Sequence, residues 1–572
     1  MLTKRLVVIE SYYQLIVIFL ISLSNVNSEY FTAITDVVQL ANNQESIIAE
    51  LSSYLDDEIK RMNEIKGILT EIIPMNKTKH LIKDEEYFSN PINVYRELNE
   101  IVLDKRPKLE SLFKTGKNQV RPSSNDKSQN SVFNSTLSIF EKSLDEINNE
   151  RLIKIREMIR KLPDYDDLKG SMDGLFRLQD VYKLDVALLA RGSGLGNARH
   201  DGLDAYQCFG LGYYAHLNQN YQYAFEWLNQ AYELQILETN KEQHRVSTST
   251  ILEYLAHSLY KLGKIRSAQA MNNAILAIEP NNEQALTNQE HFIAIIEYEN
   301  KAGIRRVGER MESSMDYMIN NELTEDLFQL NYEALCRGEN IQSDYSKKLL
   351  KCNLIYRPNF NLYVPFQEEV LWDEPLIKLF HNVISDEEIE HVKSISTKYL
   401  KRATVQNIHT GNMEPADYRI SKSTWIPDDT DSITQGITNR IQAITQLNME
   451  TSEQLQICNY GIGGQYEPHY DHAQDQDENY FEDELGNRIA TFMFYMSDVK
   501  IGGDTVFTEV NVKVSPVKNA AVFWWNLLPN GKSDDRTKHA ACPVLLGSKW
   551  VMNKWIHTKG QEFLRPCLLK NV

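Results

Sequence analysis

The residues best suited to chemistry in this 572-residue chain lie near its C-terminus: His469-Tyr470-Asp471, then His539 68 residues after the aspartate, then Lys549 ten further on. Two imidazoles and one carboxylate make the facial ligand set of non-haem Fe(II) sites, which fills one face of the metal and leaves positions open for a co-substrate and O2. The run from Gln465 to Asp471 follows the turn Gly461-Ile462-Gly463-Gly464 and reads as a strand, so His469 and Asp471 share a face. Lys549 opens a second strand-like run, KWVMNKWI. A lysine facing into a barrel needs an anion, and a bound dicarboxylate is the natural one. The plainer reading of the same residues is core histidines with a snorkelling lysine.

His539 has to be brought to His469 by the segments between them. Arg488 to Met496 (RIATFMFYM), Asp504 to Phe507 and Ala520 to Trp525 (AAVFWW) are β-branched or aromatic and predict short strands. Several such strands argue for a double-sheet jelly roll.

Cys458 to His469 (CNYGIGGQYEPH), RIATFMFYMSDV from Arg488, GGDTVF from Gly502 and HAACPVLLGSKWVMNKWIH from His539 resemble the catalytic domain of collagen prolyl 4-hydroxylase α subunits. The resemblance covers nearly the whole chain. It implies a 2-oxoglutarate-dependent Fe(II) dioxygenase that converts peptidyl proline to 4-hydroxyproline and releases succinate and CO2. By it His469, Asp471 and His539 are the iron ligands, and Lys549 holds the distal carboxylate of 2-oxoglutarate. Tyr466 and Thr491 line the co-substrate pocket, and Trp555 is an aromatic close by. Ascorbate is implied as the reductant of iron. Arg419 and Trp425 fall in a stretch near the peptide channel, although surface pairing and core packing explain them equally well. The resemblance also implies disulfides Cys336–Cys352 and Cys542–Cys567, leaving Cys208 and Cys458 free.

The whole sequence reads as a multidomain α+β chain. Residues 1–28 carry Lys4, Arg5, the apolar run Leu15 to Leu23 and a compact cleavage point, the pattern of a signal peptide. That run is too short to span a bilayer. Residues 29–200 are a helical N-terminal domain, in which Ile48, Leu55, Met62 and Leu69 recur every seven residues as a coiled-coil seam would. A helix packed inside its own domain shows the same stripe; the resemblance favours dimerisation. Gly192 to Gly196 reads as a hinge.

Residues 201–290 hold two related helical pairs at tetratricopeptide-like spacing. Leu211, Ala224 and Ala231 answer to Ala256, Gly263, Ala268 and Pro280. Tyr213, Tyr214, Tyr221, Tyr223, Trp227, Tyr254 and Tyr260 are candidates for an aromatic groove that docks proline-rich segments, or else for helix-packing core. By resemblance this is the peptide-substrate-binding domain, with His257 standing where relatives often carry tyrosine and His472 where they usually carry an aromatic. A connector, 291–365, leads to the catalytic domain, 366–572.

A formal charge of −18 disfavours nucleic acid as a partner. Sequons at Asn76 and Asn134 suit a glycoprotein of the endoplasmic reticulum lumen, and the resemblance supplies protein disulfide isomerase as β subunit of an α2β2 tetramer. Two other readings stay open: an oxygenase of the same chemistry acting on another lumenal protein, and an inactive subunit that only binds proline-rich peptides.

Overall fold

The computed structural model describes residues 85–114, 153–193, 195, 202–237, 245–302, 327–339, 351–357, 364–406, 412–474 and 485–568, with residues 342, 343, 347, 348 and 350 and scattered helical positions between 48 and 67. The signal-like segment, both sequons and residues 475–484 lie outside the described residues.

The chain divides into two compact units. In the first, the described positions between 48 and 67 are helical, and Ile48, Leu55 and Met62 of the heptad row are exposed. Leu69 lies outside the described residues.

The second unit begins with helices. Helix α1 (Pro91–Glu100) starts with proline in its first turn and an Asn90 cap. Helix α2 (Tyr165–Tyr182) starts from a capping box between Asp164 and Asp167 and buries Leu168, Met172, Leu175 and Leu178 on one stripe. Helices α3 (Ala205–Leu217), α4 (Tyr221–Leu237), α5 (Thr248–Lys261), α6 (Ile265–Ile278) and α7 (Glu283–Lys301) then pack each on the next. Asp204, Ser247 and Asn282 cap α3, α5 and α7. Close stacking of α3 on α4 needs Gly212, because a Cβ there would lie 2.6 Å from Leu228 Cγ and 2.9 Å from Leu228 N. One apolar core joins these helices, with Trp227, Leu228, Leu252, Leu255 and Leu259 fully buried. Each such side chain contributes about 1.5–3 kcal/mol.

The aromatic candidates divide here. Tyr214, Tyr223 and Trp227 are core, not groove. Their polar atoms are engaged by α2: Tyr214 Oη donates to Asp173 (2.6 Å), Tyr223 Oη to Asp180, and Trp227 Nε1 to Gln179 (3.0 Å). The helix that supplies these partners had to be placed before the direction of the rings could be known. Tyr213, Tyr221, Tyr254 and Tyr260 are only partly buried.

The C-terminal region is a jelly roll. Its large sheet has the order β1 (Cys352–Ile355), β2 (Phe366–Trp372), β3 (Ile377–His381), β11 (Ala521–Trp525), β8 (Arg488–Tyr495), β13 (Lys549–His557), β6 (Leu455–Tyr460), β5 (Lys422–Ile426), β4 (Lys401–Arg402). The small sheet runs β10 (Val512–Val514), β9 (Thr505–Phe507), β12 (His539–Ala541), β7 (Tyr466–His469). Strand β8 is buried on both sides. Phe492 and Phe494 pack with Ile389 and Val392 of α9 (Asp386–Ser396) and with Ile437 and Ile441 of α10 (Ser432–Thr445). Met493 and Tyr495 instead meet Phe507, Val512, Val514 and Ala541 of the small sheet. That second cluster lies between the two sheets, and the candidate site lies in the same layer.

The helical and β regions are tied together next to the site. Arg177 of α2 donates to the Gly463 carbonyl (2.7 Å) and Tyr182 to that of Pro543 (2.6 Å). The disulfide expectation is corrected. Helix α8 (Leu327–Cys336) packs on β9 and β10, and Cys336 bonds to Cys542, just past β12. Cys352 and Cys567 are exposed thiols, while Cys208 and Cys458 are buried ones. Cys352 is drawn away from Cys336 by the pairing of β1 with β2, where it lies opposite Glu369.

Candidate metal and co-substrate site

Strand pairing brings the three candidate ligands together. β12 runs antiparallel to β7 with His539 directly opposite His469, and their rings lie 4.4 Å apart. Asp471 follows two residues later. His469 Nε2 is 3.8 Å from one Asp471 oxygen and His539 Nε2 is 3.7 Å from the other. One donor atom from each residue fits within a 4.8 Å span, as three ligands around one ion must.

The imidazoles are held in the tautomer a metal needs. His469 Nδ1 lies 2.7 Å from the Glu467 carbonyl and His539 Nδ1 lies 3.1 Å from that of Thr537. A carbonyl can only accept, so each Nδ1 carries a proton, and in the neutral ring this leaves the Nε2 lone pair turned toward Asp471. Burial and the neighbouring His539 hold His469 neutral, its pKa pulled down to about 3. Burial opposes the charge on Asp471, but His539, His469 and Arg488 outweigh it and bring its carboxyl down to about 2. The set offers two imidazole nitrogens and one carboxylate oxygen, a donor set suited to a divalent metal.

Side chains around the triad fix its orientation. Thr491 Oγ1 donates to Asp471 Oδ2 (2.7 Å) and accepts from Asn526 Nδ2 (3.0 Å). Thr491 thus meets the carboxylate from behind instead of lining the cavity wall. Arg488 donates to the Asp471 carbonyl (2.9 Å), pairs with Glu453, and lies 3.7 Å over the Trp555 ring. Tyr466 stacks on His469 with ring centres 3.5 Å apart.

Lys549 comes from the opposite, large sheet. Its alternation on β13 sends Lys549, Val551, Asn553 and Trp555 into the same cavity that His469, Asp471 and His539 line. Met552 and Ile556 go to the outer core. A one-residue slip would reverse every one of these side chains. Only 1 % of Lys549 is exposed. Its Nζ donates to Thr505 Oγ1 (3.3 Å) between the rings of Tyr460 and Tyr495, and it has no salt bridge among the described residues. Burial lowers its pKa to about 8, only partly offset by Asp504. Arg419, which also lines this cavity and bridges to Tyr466 of the small sheet, is 7 % exposed and sits 4.8 Å over the Tyr466 ring, its Nε without a partner among the described residues. A buried ammonium met by one hydroxyl and an orphaned guanidinium nitrogen fit an acidic ligand. Trp425 is half exposed, 5.7 Å from Trp555.

Sequence reasoning missed Thr505, Arg488 and Asn526. Thr505 lies in the quoted GGDTVF run, where its position facing Lys549 had no separate signal. Arg488 and Asn526 border strand-like runs and resemble any residues at a strand end.

Comparison with known proteins agrees with this geometry. The family model of the prolyl 4-hydroxylase alpha-subunit N-terminal region matches residues 33–196, that of the prolyl 4-hydroxylase peptide-substrate-binding domain residues 205–298, and that of the 2OG-Fe(II) oxygenase superfamily residues 455–557. The chain is 35 % identical to prolyl 4-hydroxylase subunit alpha-2 of Caenorhabditis elegans, over 95 % of this chain and 94 % of that one. It is 34 % identical to human prolyl 4-hydroxylase subunit alpha-1, over 98 % and 99 %. A solved viral collagen prolyl hydroxylase in complex with 2OG aligns at 24 % identity over 32 % of this chain and 95 % of that one, with a TM-score of 0.27. Family profile, length and donor set agree: the chain belongs to the prolyl 4-hydroxylase α-subunit family, whose oxygenase domain uses Fe(II) and 2-oxoglutarate.

Proposed function

We propose that the chain hydroxylates peptidyl proline to 4-hydroxyproline in procollagen-like chains. The observation that carries this is the convergence, from two facing sheets, of the His469–Asp471–His539 cluster and the buried Lys549 on one cavity. His469, Asp471 and His539 would hold Fe(II), and Lys549 with Thr505 would hold the far carboxylate of 2-oxoglutarate. Iron supplies the oxidising chemistry, in which one oxygen atom of O2 enters succinate and the other the prolyl hydroxyl.

The chain's own part is placement and exclusion. Backbone carbonyls lock both imidazoles, and Thr491 and Arg488 lock Asp471, so the three donor groups are oriented before any ligand arrives. Lys549, desolvated and unpaired, gains a partner only when an anion enters, which makes binding selective for a dicarboxylate. Tyr466, Trp524 and Trp555 wall the cavity and keep water from the reacting centre. Arg419 and Trp425 lie toward the peptide side. Tyr213, Tyr221, Tyr254 and Tyr260 form the groove that holds the substrate's proline-rich flank. Protein disulfide isomerase as β subunit, ascorbate as reductant and the endoplasmic reticulum lumen as location complete the reading. They follow from membership of the family, and among the described residues no helix is long and apolar enough to cross a membrane.

Mass spectrometry of a (Pro-Pro-Gly)-type peptide incubated with the chain, Fe(II), 2-oxoglutarate and ascorbate tests the proposal. Gain of one oxygen on proline, abolished in His469→Ala, is the expected result. Binding without oxidation, or 2-oxoglutarate consumption that ignores the peptide, contradicts it.

A further inference from the structure

The groove of the helical domain carries a continuous row of rings that is not built of tyrosine alone. Tyr213 on α3 meets Tyr254 on α5 (5.0 Å between centres), Tyr254 meets His216 (5.0 Å), and His216 meets His257 (4.9 Å). His257 lies 6.4 Å from Tyr260, which lies 5.7 Å from His291 on α7. Tyr221 at the start of α4 closes on both central imidazoles, 5.7 Å from His216 and 6.1 Å from His257. The middle of the row is thus an imidazole pair in direct contact, partly shielded and open to solvent on one side. Three helices hold it in place.

We propose that the His216–His257 pair is a proton-controlled section of the peptide groove: neutral, it stacks on the proline rings of an uncharged segment, and protonated, it turns against such segments and toward ones bearing a carboxylate. This rests on the reading of the row as the peptide groove and adds a selectivity to it.

Local chemistry supports the direction. Ser258 Oγ donates to the Tyr254 carbonyl and lies 3.1 Å from His216 Nδ1, so it accepts from that nitrogen and leaves Nε2 unprotonated in the neutral ring. The titratable groups that face the pair are Tyr221 from α4, and Tyr254, Tyr260 and Lys261 from α5, with His291 from α7 beyond Tyr260. Glu253 borders Tyr254 but forms no salt bridge with either imidazole among the described residues. The fixed charge that acts on both imidazoles is the cation Lys261. Burial, each other and Lys261 hold His216 below the ordinary histidine range, and burial and Lys261 do the same for His257. A proline segment laid across the row removes more water and favours the uncharged rings further. Acidification places two imidazolium cations side by side in the groove, where a neutral ligand has nothing to offset them and a carboxylate does. A row of tyrosines in their place would be indifferent between pH 5 and 8.

The test is fluorescence anisotropy with the full chain, iron-free so that nothing turns over. The probes are a labelled (Pro-Pro-Gly)-type peptide and the same peptide with one glutamate per repeat. From pH 7.5 to 5.0 the neutral peptide's affinity should fall about four-fold or more, as a group titrating in this window and required neutral for binding dictates. The glutamate peptide should gain relative to it over the same range. In His216→Tyr/His257→Tyr both effects should flatten to less than about two-fold, the residual expected once no group titrates in the window. His257→Tyr alone, at an exposed position, should halve the slope without a risk to folding. A pH-independent parent, or a double variant as pH-dependent as the parent, overturns the proposal and leaves the groove reading intact. No binding of either peptide at any pH overturns both.

Discussion

Lys549→Met separates the roles of Lys549 in the free protein and in the ligand complex. The free protein carries this ammonium 1 % exposed, with one hydroxyl as its hydrogen-bond partner. Its pKa falls from an ordinary 10.5 to about 8, which corresponds to about 3 kcal/mol of disfavoured charge. In the unfolded chain that cost is absent. The destabilisation is therefore full below about pH 8 and fades as pH rises toward the unfolded value. Methionine has similar volume and no charge, so Lys549→Met should leave the ligand-free protein as stable at pH 7 or more so, by up to about 3 kcal/mol. The same change should weaken 2-oxoglutarate by about 3–5 kcal/mol, the cost of stripping one partner from a buried ion pair, or about 10²–10⁴-fold in affinity. Thermal denaturation with and without 2-oxoglutarate reads both quantities on one sample. A variant that loses stability without ligand, or that binds 2-oxoglutarate within about three-fold of the parent where the buried-pair estimate requires far more, would refute the reasoning.

The same ammonium sets a pH limit. Only its charged form holds a carboxylate, so 2-oxoglutarate affinity should be flat below pH 8 and fall about ten-fold per unit above it, read from KM across pH 7 to 10. Thr491→Val removes the hydroxyl between Asp471 and Asn526 and should lower metal affinity about ten-fold or more, measured by competition with a coloured chelator. Cys336 and Cys542 close a loop with a sequence separation of 206, for which chain entropy gives an upper value of about 5 kcal/mol. The pair Cys336→Ser/Cys542→Ser should unfold well below the parent, and non-reducing peptide mapping should recover the linked peptides; a Cys336–Cys352 peptide in their place would contradict the fold described.

Much of the site was legible because strand periodicity is strict. Lys549 and Trp555 lie on one strand, so their shared side follows from the two-residue repeat, and the aromatic runs before them leave few alternatives to paired sheets; Asp471, expected on the strand of His469, sits instead in the bend just past its end. What the sequence did not disclose depends on third parties. Tyr214, Tyr223 and Trp227 look like groove residues until α2 offers Asp173, Asp180 and Gln179 as buried partners. The resemblance implied Cys336–Cys352 and Cys542–Cys567, whereas α8 lays Cys336 against the far end of the small sheet. Thr491 is a pocket residue by resemblance, yet its hydroxyl is taken by Asp471 and Asn526. In each case the deciding contact spans elements whose packing no local pattern encodes.

The central claim is that three side chains of the small sheet bind one metal that a dicarboxylate held by the large sheet then chelates. Anaerobic titration of the metal-free chain with Fe(II) and then 2-oxoglutarate, followed by the visible charge-transfer absorption of the chelate, tests this most directly. One chelate per chain is expected, absent in His469→Ala and His539→Ala and needing far more 2-oxoglutarate in Lys549→Met. Full absorption in His539→Ala, or saturation of Lys549→Met at the parent's concentration, would contradict it.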